Sequence, residues 1–244
     1  MTALTDTLIN HSSVRSFEKR TVSEDIKEQL ILSAQSASSS KFLQAYSIVE
    51  VQDRHLREQI EAIANCTGYV ADTGVFYIFV ADLNRHAEIL KAQNQSPQHL
   101  TGIEPLLVSV VDTTLAAQNM AACAESLGLG ICFIGGVRND LSQIGELLQL
   151  PPRTFPVFGL SIGYPKQNNE RKPRIPAEGI LHKNTYQPVS GQVLQSYDRQ
   201  MSDYYASRSS NNQETNWTKK VLNIFATDSR PETTDFLRRQ GFID

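Results

Sequence analysis

EPLLVSVVDTTLAAQNMAACAESLGLGICFIGG, residues Glu104–Gly136, is the stretch around which the rest of the chain is read. Its longer first part is helix-compatible and apolar almost all the way round, the pattern of a helix buried on most faces. Gly128 and Gly130 stop that helix, and a short apolar run, Ile131–Ile134, follows and halts at Gly135–Gly136. Small side chains crowd the helix at Ala116, Ala117, Ala121, Ala122 and Ala124, so another backbone can approach it closely. An ordinary core helix and a helix packed across two subunits both satisfy this pattern.

Toward the N-terminus, Gly74–Ala81 (GVFYIFVA) is a nearly continuous apolar run of strand length, as in a buried central strand. Tyr46–Val51 is rich in β-formers, and Asp53–Ala64 has helical spacing through Leu56, Ile60 and Ile63. Ser23, with Glu24 and Asp25 after it, caps a helix predicted from about residue 24 to 36. That helix runs into the serine cluster 36–40, a loop with hydroxyls to offer. Thr5–Asn10 reads as a short helical start, and residues 84–103, polar and weakly patterned, as an excursion. Toward the C-terminus, an amphipathic helix over 139–149 is stopped by Pro151 and Pro152, and Phe155–Gly163 is the next strand. A loop rich in proline and basic residues covers 164–176. Polar helices follow at Val193–Ala206, Thr215–Phe225 and Glu232–Gln240, the first two separated by a mobile polar loop, SRSSNNQETN. Strands separated by helices point to an α/β or α+β sheet covered on both faces.

At 244 residues the chain can build a substantial core, as one domain or one with an appendage. A net charge of −3 gives no reason to propose nucleic acid or an anionic membrane as partner. No apolar run without polar interruption reaches membrane-spanning length, and MTALTDTLINHSS lacks the basic and apolar regions of a leader, so the expected compartment is the cytoplasm. Cys66, Cys123 and Cys132 sit among small or apolar neighbours without ligand spacing and are expected to be buried free thiols. The histidines are dispersed, with no metal-binding pair, so no metal site is expected.

Three separated segments carry groups suited to a phosphate: His11-Ser12-Ser13-Val14-Arg15, Gly135–Gly136, and Lys172-Pro173-Arg174. Arginine offers a bidentate fork, serine a hydroxyl, and glycine close approach of backbone amides. Each alone also fits an ordinary turn or surface loop. There is no GxSxG, GxxxxGK[ST] or GxGxxG, and GLGICFIGG ends a helix where a dinucleotide fingerprint would open one. Chemistry is therefore expected to come from a bound cofactor.

Six segments in one order, HSSVRSF, SASSSKFLQAYS, ESLGLGICFIGGVRND, FPVFGLSIGYP, KPRIP and YYASRSSNN, resemble the nitroreductase/flavin reductase family. The resemblance is nearest to its oxygen-insensitive NADPH nitroreductase and NADPH:FMN oxidoreductase subgroup. It implies an α+β fold with a mainly antiparallel sheet, an obligate homodimer holding FMN at the subunit interface, and long central helices packed across the dimer. It divides the chain into an FMN-binding core, 1–189, and a helical extension, 190–244, bearing an NADPH-contacting loop. It places His11, Ser12, Ser13 and Arg15 at the FMN phosphate and ribityl region, with Ser39 reaching in from the other subunit. Thr67, Ile134, Gly135 and Gly136 would lie along the flavin, and Lys172 and Arg174 would close its anionic end. Ser40, Lys41 and Phe42 would face the substrate, and Arg208 the NADPH phosphate. No side chain is expected to act as nucleophile, because the chemistry belongs to flavin N5. A cation near the flavin N1–C2=O edge is favoured, because hydride uptake at N5 leaves negative charge there.

Relative to the family pattern, Ser12 replaces an arginine, Lys41 a small hydroxyl residue, Thr67 a glutamine, Phe133 a tyrosine and Gln213 a second basic residue. A 2′-phosphate is best met by paired basic groups, so Gln213 weakens the case for NADPH over NADH without reversing it. The leading expectation is two-electron, ping-pong transfer from NADPH to nitroaromatics, quinones or flavin. A reductase supplying free reduced FMN and a non-catalytic FMN-binding redox sensor are the alternatives. The small-residue faces of the central helix are expected against a partner subunit, so that Ala117→Arg or Ala121→Arg would release flavin as well as break the dimer.

Overall fold

The computed structural model describes residues 2–167, 169–208, 212–227 and 230–244. Its contacts divide the chain into two compact units, Met1–Asn169 with Glu232–Asp244, and Glu170–Pro231. By packing, then, the division falls at 169/170 and the last helix returns to the larger unit, whereas the functional division read from sequence falls at 189/190.

The larger unit contains α1 (Ala3–Ile9), α2 (Glu24–Gln35), β1 (Tyr46–Glu50), α3 (Arg54–Ala64), β2 (Val75–Asp82), α4 (Asn84–Ala92), α5 (Ile103–Ser126), β3 (Gly130–Ile134), α6 (Leu141–Leu147) and β4 (Thr154–Gly163). In the smaller unit lie α7 (Gly191–Ser207) and α8 (Trp217–Phe225), and α9 (Thr233–Arg239) belongs to the larger. The sheet has the order β1-β2-β4-β3 and every pairing is antiparallel. β2 is buried along its whole length, as its unbroken apolar run predicts.

Alternation along β2 sorts the core into two layers. Val75, Tyr77 and Phe79 join Leu30, Ala34, Ala116, Ala117, Met120, Ala121 and Ala124 under α2 and α5. Phe76, Ile78 and Val80 face the other way, with Ile60, Ala64 and Ile144 of α3 and α6. Each such aromatic or branched side chain contributes about 2–3 kcal/mol when removed from water. A third cluster joins Phe155, Val157, Leu141, Phe236 and Phe242, and fixes α9 to this unit.

α5 ends as its glycines predict, with Gly128 at φ +79 and the Leu129 N–H donating to the Ala124 carbonyl. Its small-residue face does not await a partner. Ala116, Ala117, Ala121 and Ala124 are at most 1% exposed, because α2 and the sheet of the same unit need the close approach they permit. The face left to solvent is instead Ile103, Leu107, Val111 and Leu115, four residues apart and 41–62% exposed. By length and composition α5 could cross a bilayer, yet 39% of its most apolar window is buried inside this fold.

Other differences are local. Residues 84–92, read as part of an excursion, form α4, whose first turn is held by Asp82 Oδ1 accepting from the Asn84 and Arg85 amides. Ser23 occupies the N-cap of α2 without a side-chain hydrogen bond, whereas Asp53 caps α3 by accepting from Leu56 N at 2.7 Å. Cys132 is buried, but Cys66 and Cys123 are half-exposed, and all three thiols are free.

Within the smaller unit, Ser190 caps α7 and Asn216 caps α8, the latter accepting from Lys219 N at 2.8 Å. Tyr197, Met201 and Tyr205 form its core, with Ile175 and Tyr204 packed alongside.

Candidate functional site

The run His11–Phe17 lies along β3, because the Val14 N–H donates to the Ile131 carbonyl at 2.8 Å and Phe17 bridges Pro165. Gly130 permits this contact, since a Cβ there would stand 2.5 Å from the Val14 side chain. Ser13 is tied down by its carbonyl, which accepts from Asn169 Nδ2 at 2.8 Å. Ser12 and Ser13 are half-buried and Arg15 is exposed, its charge felt by the buried Cys132 thiol, which burial pushes upward and Arg15 pulls down. Among the described residues, the side chains of Ser12, Ser13 and Arg15 make no hydrogen bond or ion pair with the protein. Two hydroxyls and a guanidinium are thus left for an external anion.

His11 differs. Its Nδ1 stands 2.6 Å from Glu125 Oε1, the two side chains being 28% and 12% exposed. The carboxylate can only accept, so Nδ1 carries the proton of this contact and Nε2 is the other ring nitrogen. Glu125 lies in the ESLGLG stretch, but a lone glutamate in the last turn of a helix gives no signal of its own.

β3 ends in Ile134, buried, and then Gly135 and Gly136. Gly136 is required by contact, because a Cβ there would meet the Ala64 carbonyl oxygen at 2.3 Å. That contact seats the strand end against the C-terminus of α3, from which the exposed Thr67 turn departs. Residues 11–15, 67 and 134–136 are therefore gathered at the β3 edge of the sheet.

Ser39–Phe42 lie elsewhere. Asp112, 1% exposed in the middle of α5, accepts from Ser40 N at 2.9 Å and Ala45 N at 3.1 Å. This segment enters β1, the opposite edge strand, at the level where Tyr46 pairs with Ala81 and Ala81 with Phe155; Val14 joins β3 where Ile131 pairs with Ile162. Three strand spacings and seven residues along β4 separate the two places, on the order of 25 Å. Within one chain the two halves expected around the flavin do not meet.

The remaining predicted residues belong to the smaller unit. Lys172 Nζ stands 5.3 Å over the Tyr205 ring, and Arg174 lies near enough to Tyr197 to offset part of the upward shift that burial gives its hydroxyl. Arg208 lies 6.0 Å over Tyr204. Gln213 Oε1 accepts from Lys220 Nζ at 3.1 Å, so a cation stands beside the position where the family pattern has one. A pocket lined by Ser202, Ala206, Gln213, Glu214 and Lys219 opens beside this segment. Residues 209–211 of the predicted mobile loop lie outside the described residues.

Residues 8–164 match the model of the Nitroreductase family, and residues 172–244 that of the Nitroreductase family, C-terminal domain. An FMN reductase (NADPH) of Bacillus subtilis is 37% identical over 241 residues, covering 97% of each chain. An oxygen-insensitive NADPH nitroreductase of Salmonella typhimurium is 39% identical over 243 residues, covering 99% of each. Among solved structures, the NfrA1 nitroreductase from B. subtilis superposes with a TM-score of 0.94 at 37% identity, covering 98% of each chain.

Proposed function

The chain belongs to the nitroreductase family, and on that premise we propose that it is an FMN-dependent oxidoreductase passing two electrons from NADPH to nitroaromatics, quinones or free flavin. The named activities of its relatives support NADPH-driven, flavin-dependent reduction. The observation that carries the reading in this chain is the His11–Arg15 run, an anion-binding set of two hydroxyls and a guanidinium free of protein partners beside a glycine-ended strand. That donor set suits the phosphate of FMN. When bound, FMN supplies the two-electron hydride chemistry at N5.

The protein's own part is binding and orientation. Arg15, Ser12 and Ser13 neutralise and hold the phosphate, and His11, whose ring is oriented by Glu125, stands next to them in the chain. Gly135 and Gly136 keep the end of β3 open to a flat ligand, with Ile134 and Thr67 alongside. The family resemblance assigns Lys172 and Arg174 of the smaller unit to the anionic edge of the ring, and Arg208 to the dinucleotide phosphate. Lys220, beside Gln213, provides the second cation that a 2′-phosphate favours, so NADPH is preferred to NADH.

The separation of the two halves supports a homodimer. A two-fold partner can bring its Ser39–Phe42 segment to the β3 edge that one chain's own segment cannot reach. Donor and acceptor then use one open site in turn, which gives parallel double-reciprocal lines. The cytoplasm, where NADPH is the working reductant, is the compartment that suits this activity. The test is anaerobic titration of the purified yellow protein. NADPH should bleach the flavin with a kcat/KM above that for NADH, and Lys220→Ala should narrow that ratio. A flavin that NADPH leaves oxidised would refute the assignment.

A further inference from the structure

Lys41, Phe42 and Gln44 have φ of 49, 58 and 51, three left-handed residues within four positions and none of them glycine. Backbone of this kind persists where the surroundings over-determine it. Here both ends of the segment are fastened to one buried carboxylate, Asp112, which receives Ser40 N on Oδ1 and Ala45 N on Oδ2. Its carbonyls are held from the other side. Arg85 Nη1 of α4 donates to the Gln44 carbonyl at 3.3 Å, and His86 Nε2 donates to the Leu43 carbonyl at 2.9 Å. The Gln44 amide closes the set on Ser39 Oγ at 3.3 Å. With the backbone so pinned, Lys41 is exposed and Phe42 is 77% exposed, an aromatic ring and a cation presented without burial of their own.

We propose that Asp112 is a positioning residue for electron-acceptor binding, holding the Ser40–Gln44 segment in its left-handed form together with Arg85 of α4. The proposal rests on the reading of Ser40, Lys41 and Phe42 as the acceptor-facing residues. An acidic side chain suits the task because each of its oxygens accepts, whereas an amide of the same shape has one acceptor and one donor. Asp112→Asn therefore turns an NH2 toward one of the two loop amides and leaves that amide unpaired.

The test uses the holoenzyme with two variants, Asp112→Asn and Arg85→Ala. The second removes a 53% exposed side chain that also pairs with Asp82 at 3.7 Å and donates to Ser47 Oγ at 3.1 Å, so its thermal stability is measured alongside. Trypsin reads the loop directly, because Lys41 is itself a cleavage site. Both variants should be cut after Lys41 about tenfold faster than wild type, as a loosened segment exposes its backbone. They should also raise KM for a nitroaromatic acceptor about tenfold, leaving kcat and flavin reduction by NADPH within about twofold. A purely structural role would instead lower thermal stability and slow both half-reactions together. Unchanged cleavage after Lys41 would overturn Asp112 as the clamp. Faster cleavage with an unchanged acceptor KM would show that the loop does not face the acceptor, and would overturn the reading on which the proposal rests. Should Asp112→Asn fail to fold, Arg85→Ala carries the test, and unchanged cleavage with unchanged acceptor KM in that variant would overturn the proposal that pinning this segment positions the acceptor.

Discussion

Gly136 shows how one residue type can be fixed by contact alone. A methyl group there meets the Ala64 carbonyl oxygen at 2.3 Å, and neither the end of α3 nor the strand end has a flexible side chain to give way. Gly136→Ala is expected to cost about 2–3 kcal/mol, measured as a lower urea midpoint with an unchanged slope. Gly128→Asn makes the comparison, because its φ of +79 has open space around it and asparagine tolerates that backbone. Its stability should change by less than about 1 kcal/mol. Cys66 gives a second prediction at this scale. Burial, aided by the charge of Glu61, pushes its thiol from 9.0 up to about 12. The fold therefore holds that proton more tightly than the unfolded chain does. The associated stabilisation is complete below pH 9 and is lost as pH rises toward 12. Urea midpoints of wild type should fall between pH 9 and 11, and those of Cys66→Ser should fall less steeply. Equal slopes for the two proteins would exclude the thiol as a source of alkaline lability.

At the scale of elements, α5 was legible and yet its faces were misassigned. An all-round apolar pattern says that a helix is covered, but it does not say which neighbour covers which face. Alanines invite close approach from any backbone, and α2 and the sheet of the same unit supply it. The larger residues Ile103, Leu107, Val111 and Leu115 are the ones left outside. α4 was missed for a different reason. Its inward face is only Leu83, Ala87 and the half-buried Leu90, two turns long, and its start is marked by the local cap of Asp82 on Asn84 and Arg85, so the short repeat is lost among polar neighbours. β2 and β4 were legible because buried strands need unbroken apolar runs. If the exposed α5 stripe is the contact with a second copy, Val111→Lys should reduce dimer mass in sedimentation while leaving the monomer folded. Ala117→Arg should unfold the subunit itself, since Ala117 has no exposed surface. A folded, monomeric Ala117→Arg protein would mean that the alanine face, not the 103–115 stripe, packs against a second copy.

Across the whole molecule, the residues of the candidate site could be named from sequence, but their distribution could not. His11–Arg15 and Ser39–Phe42 are close in number, and nothing in either segment says that one enters the sheet at β1 and the other lies along β3. Strand order alone separates them, and strand order depends on pairing partners far apart in the chain. That separation has a thermodynamic consequence. If flavin touches both segments, a single chain supplies half of its contacts, and binding and association must strengthen each other equally. Excess FMN should then lower the dimer dissociation constant by the same factor by which dimerisation raises FMN affinity, a coupling of about 5- to 150-fold. Dilution in the absence of added flavin should release FMN in step with dissociation, measured by the recovery of free-flavin fluorescence against the mass distribution. Val111→Lys should show the weaker, half-site affinity at every protein concentration. A stable monomer that keeps FMN as tightly as wild type would mean that the β3-edge residues bind it unaided, and the two segments would then have no shared ligand.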